Sequence, residues 1–79
     1  MTIATKVYEE LSKKKMDLDA ETKVCNALWG VMLENSMRCI DEHNAAEAQA
    51  WHNAMQSITN RLDSIAKEYD ELTRRFKEL

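Results

Sequence analysis

The sequence predicts an all-α fold: a long antiparallel helical hairpin, its first arm kinked or split so that two to three helices form, dimerising into a four-helix bundle or coiled-coil-like assembly. Three observations carry this expectation. The 79-residue chain has no proline and a single glycine, Gly30, so little in it interrupts a helix. Its last segment repeats apolar residues at helical spacing without a break. Between the middle and last segments the apolar frame jumps five residues, from His43 to Ala48, across the helix-starting signal NAAE.

The last segment is the clearest. Ala48, Trp51, Met55, Ile58, Leu62, Ile65, Tyr69, Leu72, Phe76 and Leu79 follow 3-4-3-4 spacing, a heptad seam over more than four repeats. Asn44 can cap the first amides, and Glu47 stands where a capping box places its acid. A helix over 45–78 follows, about 50 Å long. His52, Thr59, Ala66 and Thr73 flank the seam on one side and Ala54, Arg61, Glu68 and Arg75 on the other. The small flank suits close packing in a bundle, because only the second flank carries the charges that set register in a simple coiled coil. Asp63 with Lys67, Asp70 with Arg74, and Glu71 with Arg75 stand acid before base at four-residue spacing, a solvated face.

The middle segment, over 20–43, runs its own line through Thr22, Cys25, Trp29, Met32, Ser36, Cys39 and His43, with Leu28 and Val31 widening the stripe. Two helices joined near Asn44 explain both the frame jump and the cap; one continuous helix with a phase shift is the rival. The first segment, over 3–16, carries Ile3, Val7 and Leu11 at spacing four. Lys13, Lys14 and Lys15 suit a helix C-terminus, and Asp17 or Asp19 can cap the next helix. With neither Gly nor Pro in MDLDAE, the boundary can also be a bend. The whole chain, 1–79, is read as a single helical domain. A compact three-helix monomer is the alternative to the kinked hairpin.

Composition restricts function. With 44% apolar and 32% charged residues the chain is far from disorder. A net charge of −3 gives no large positive field for nucleic acid or an anionic membrane. No apolar run approaches the roughly 18 residues of a membrane span, and the N-terminus lacks the pattern of a signal peptide, so a cytoplasmic protein is expected. Cys25 and Cys39, about 21 Å apart along a helix, cannot pair with each other and read as small buried apolar residues.

Cys39, His43 and His52 crowd the expected corner. Cys39 and His43 share a helix face, but a zinc site needs further ligands that no recognised motif supplies. The corner therefore reads as architecture: Cys39 in the seam, His43 at a helix end, His52 on a rim. A metal-dependent structural domain is a third class behind the two readings below. No Ser-His-Asp grouping, HExxH, GxSxG or phosphate loop is present, so no catalytic residue and no cofactor is assigned.

Function is read from the apolar surplus. Val24, Leu28 and Val31 extend the middle stripe, and Trp29, Trp51, Tyr69 and Phe76 are large for the core that a hairpin encloses. The expected role is non-enzymatic protein–protein contact, as an adaptor, small chaperone, regulatory inhibitor or assembly component. The seam residues are Trp51, Met55, Ile58, Leu62, Ile65, Tyr69, Leu72 and Phe76, with Cys25, Leu28, Trp29 and Met32 opposite. A homodimer or another protein would cover the surplus. The competing expectation is a nucleic-acid binder using Lys13, Lys14, Lys15, Arg74, Arg75 and Lys77, which the hairpin would bring together; adjacent acids dilute that patch.

Overall fold

A computed structural model describes residues 2–79 as a two-helix antiparallel hairpin. Helix α1 spans Ile3–Asp41 and α2 spans Ala45–Lys77. The rod measures 61 × 15 × 12 Å. Its radius of gyration is 18.0 Å, where a compact domain of this length would have about 12 Å.

The expected break near Asp17 does not occur: α1 runs unbroken through MDLDAE, so the first arm is one helix, neither kinked into two nor folded back into a bundle. Two physical causes keep it intact. Leu11, Leu18 and Cys25 are all buried at seven-residue intervals, so the seam passes straight through the acidic stretch. Asp19 has no need to cap a new helix, because Lys15 donates to its carboxylate at 2.8 Å from one turn away and Tyr69 donates to it from α2. The start of α1 is capped instead by Thr2, whose hydroxyl accepts from the Thr5 N–H at 3.2 Å.

The turn comprises Glu42, His43 and Asn44. The N–H of Asn44 donates to the Cys39 carbonyl at 2.7 Å and that of His43 to the Ile40 carbonyl at 3.0 Å, the two bonds of a Schellman closure. His43 takes the left-handed position, φ 59°, that such a closure requires. Asn44 then opens α2: its Oδ1 accepts from the Glu47 N–H at 3.2 Å, and its Nδ2 donates to the Glu47 carboxylate at 2.9 Å. A standard capping box would send that carboxylate to the Asn44 N–H, but this donor is already spent on Cys39.

The main core lies toward the open end. Leu11, Leu18, Cys25, Ile65 and Leu72 form it, with Val7, Ile58, Leu62, Tyr69 and Phe76 packed against it. Tyr8 meets Phe76 edge to face, ring centroids 5.5 Å apart. Toward the turn the buried positions are Ser36, Cys39, Ala48 and Met55. All but Met55 are small, so this end of the seam is thin. Large apolar neighbours there cannot enter it.

Candidate interaction surface

The thin seam sets the surface. Among the described residues, every exposed large apolar side chain except Leu79 belongs to α1. Six of them, Val24, Leu28, Trp29, Val31, Met37 and Ile40, stand in its turn-proximal half. Helix α2 keeps its apolar residues on one stripe; α1 spreads them to both sides of its seam.

Leu28 (43% exposed) and Trp29 (37% exposed) lie outside the hairpin's own core, among the apolar surplus expected to lie in an oligomer seam. They flank Cys25 by helical rotation, one on each side of the seam, so each turns its side chain away from the line of contact between the helices. Cys25, Met55, Ile65 and Leu72 are buried as seam residues, while Met32, Trp51, Ile58, Leu62, Tyr69 and Phe76 are half-buried.

Two polar links fix which flanks face the same way. On one flank Arg61 donates to both carboxylate oxygens of Glu21, from Nη2 at 2.7 Å and from Nε. Hydrogen bonding by Arg61 holds the Glu21 carboxyl below its ordinary range and pushes the guanidinium value up. Glu68 adds a second carboxylate, its solvent-shielded Oε2 standing 3.5 Å from Arg61 Nη1 as an ion pair without hydrogen-bond geometry. On the opposite flank Tyr69 donates to Asp19 Oδ1. Hydrogen bonds from Lys15 first and Tyr69 second hold the Asp19 carboxyl low, and the bond to Asp19 raises the Tyr69 hydroxyl.

From the Glu21–Arg61 link a stripe runs toward the turn on each helix. On α1 it reads Glu21, Val24, Leu28, Val31, Asn35, and on α2 Arg61, Ser57, Ala54, Ala50, Glu47. Between their ends neither stripe carries a charge. The α2 side includes a shallow cleft lined by Glu47, Ala50, Trp51 and Ala54. The opposite flank is more polar. Its depression beside the turn is lined by Ser36, Ile40, Ala45, Ala48, Gln49 and His52.

The basic clusters do meet at the open end, where Arg75 and Lys14 both act on Glu71, but they are interleaved with acids. Lys15 is held by Asp19. Arg74 is held by Glu71 and Glu78, replacing the expected pairings of Asp70 with Arg74 and Glu71 with Arg75, because carboxylates three residues before and four after reach it together. Lys13, Lys14, Arg75 and Lys77 are exposed. At the corner Cys39 is buried while His43 and His52 are exposed. Among the described residues no group of three or more His, Cys, Asp or Glu is placed to hold a metal ion. No described helix is long and apolar enough to cross a membrane.

The links Glu21–Arg61 and Asp19–Tyr69 were not anticipated from sequence, because forty and fifty residues separate the partners. Leu18 was findable: stepping back seven residues from Cys25 lands on it. Comparison with protein-family models, with curated proteins and with solved structures finds no match.

Proposed function

We propose that this chain is a non-enzymatic protein–protein interaction module that works as a homo-oligomer, in the role of an adaptor, small chaperone, regulatory inhibitor or assembly component. The supporting observation is the concentration of exposed Val24, Leu28, Trp29, Val31, Met37 and Ile40 on one half of one helix. Scattered apolar residues are ordinary on any surface, but neighbouring ones, as Val24, Leu28 and Val31 are along one flank of α1, mark an interface. The area agrees. The chain exposes 5979 Å², against about 4,900 Å² for a compact monomer of 9.2 kDa. The difference, about 1,000 Å², is of the size that one partner buries in a standard interface. A second copy covering it would form a four-helix bundle.

Nucleic-acid binding through the basic clusters has less support, since Lys15 and Arg74 are engaged by neighbouring carboxylates. The test is thermal unfolding at protein concentrations spanning about a hundredfold. Tm rising with concentration is the expected result, because dissociation accompanies unfolding of an oligomer. A Tm independent of concentration would contradict self-association.

A further inference from the structure

The flank marked by Glu21 and Arg61 has the shape of one half of a two-fold interface. The α1 stripe offers a ridge of branched side chains, Val24, Leu28 and Val31, of which Val24 is 58% exposed. The α2 stripe offers Ala50, Ala54 and Ser57, too short to fill the space beside them, with the cleft at Trp51. The register that sets Glu21 against Arg61 sets Leu28 beside Ala54, one heptad nearer the turn. Ridge and cleft thus stand side by side at the same height, each stripe about 21 Å long. A two-fold rotation about an axis parallel to the rod and lying against this flank carries the ridge of one copy onto the cleft of the other.

We propose that two copies pair through this flank, turns at the same end, with α1 of each packed against α2 of the other. The inference rests on the interaction-module reading above. Three features favour a second copy as the occupant. The surface is complementary to itself. Every neighbouring helix pair in the resulting bundle runs antiparallel, which sets opposite ends of the helix dipoles together. At the border of the apolar field, Glu21 of one copy faces Arg61 of the other at equal height, so the charges alternate across the two-fold axis. Glu47 and Asn35 close the other border with polar groups, giving an apolar centre and a polar rim.

The experiment compares native mass and helicity of the wild-type chain with Leu28→Glu and with Ile40→Glu, which places the same charge on the opposite flank at a residue 61% exposed. Both positions are exposed in the single hairpin, so both variants should keep their helicity. A wild-type dimer, a monomeric Leu28→Glu chain and a dimeric Ile40→Glu chain are expected. If Leu28→Glu stays dimeric while Ile40→Glu dissociates, the flank assignment is overturned and self-association stands. If the wild-type chain is itself monomeric, both fall. Orientation is read separately by oxidising variants that each carry one added cysteine, the native Cys25 and Cys39 being buried. A mixture of Leu28→Cys and Ala54→Cys chains should cross-link between the two variants. Efficient cross-linking of Leu28→Cys chains with one another would overturn the packing of α1 against α2.

Discussion

Asn44 and Cys39 are joined through the backbone: the N–H of Asn44 donates to the Cys39 carbonyl at 2.7 Å, so the residue that caps α2 also closes α1. One side chain and one amide thereby hold the corner that sets how the two long helices lie against each other. His43 occupies the left-handed position between them, where a Cβ is disfavoured. Substituting His43→Gly should therefore stabilise the hairpin by about 1 kcal/mol, and Asn44→Ala should destabilise it by about 1 kcal/mol. Denaturant midpoints check both. A loss of stability in His43→Gly would mean that the imidazole has a further role at the corner.

Acid should weaken the cross-helix links. Glu21 and Asp19 are held below their ordinary values of 4.5 and 3.8 by hydrogen bonds from Arg61 and from Lys15 with Tyr69. A carboxyl depressed in the folded chain binds fewer protons there than in the unfolded chain. Its contribution is therefore present above the ordinary value and lost as pH falls through the folded value. Tm of the wild-type chain should decline from about pH 4.5 downward, and that of Glu21→Gln should decline less, the two curves converging in acid. The side chains are partly exposed, so the gap at neutral pH should be on the order of a few degrees. Curves that stay parallel through the acid range would exclude Glu21 as a source of the decline.

Ile65 is the large side chain most completely enclosed on α2, 2% exposed within the cluster of Leu11, Leu18, Cys25 and Leu72. Ile65→Ala should cost about 3 kcal/mol, a large share of the stability available to so small a domain. Leu62→Asp should unfold the chain or dissociate its assembly, because a charge would be driven into the seam. Circular dichroism during thermal unfolding reads both. Ile65→Ala melting like the wild-type chain would remove this cluster from the stabilising core.

Beyond its chain neighbours and its own helical turn, Gly30 has nothing within 4 Å of where a Cβ would stand, and its place on α1 is away from the stripe through Val24, Leu28 and Val31. Its helix penalty is therefore unrelieved in the hairpin. Gly30→Ala should stabilise by about 0.5 to 1 kcal/mol without altering native mass. Dissociation of the assembly would instead place a neighbouring backbone against this glycine.

How much the sequence revealed depended on how each feature is encoded. The α2 seam and the NAAE cap are local and periodic, so Ala48 through Phe76 and the position of Asn44 could be read directly, while Leu79, expected to extend the seam, lies past the end of α2 and is exposed. Continuity of α1 was hidden because Asp17 and Asp19 resemble capping residues, and one of the two donors that engage the Asp19 carboxylate, Tyr69, lies fifty residues away. The exposure of Leu28 and Trp29 was hidden for a related reason. Spacing reveals which residues share a face, but the width of the seam depends on pairing small Ser36 and Cys39 with Ala48 across the hairpin. The candidate surface was legible as an apolar surplus; its two flanks became distinguishable only with the Glu21–Arg61 and Asp19–Tyr69 links in place.

That the turn-proximal half of α1 is an interface is tested most directly by the native mass, measured by light scattering coupled to size exclusion over roughly a hundredfold range of concentration. A particle of twice the 9.2 kDa chain mass that persists on dilution is the expected result. A 9.2 kDa monomer at every concentration would contradict it, leaving Val24, Leu28 and Val31 in water with no second copy to cover them.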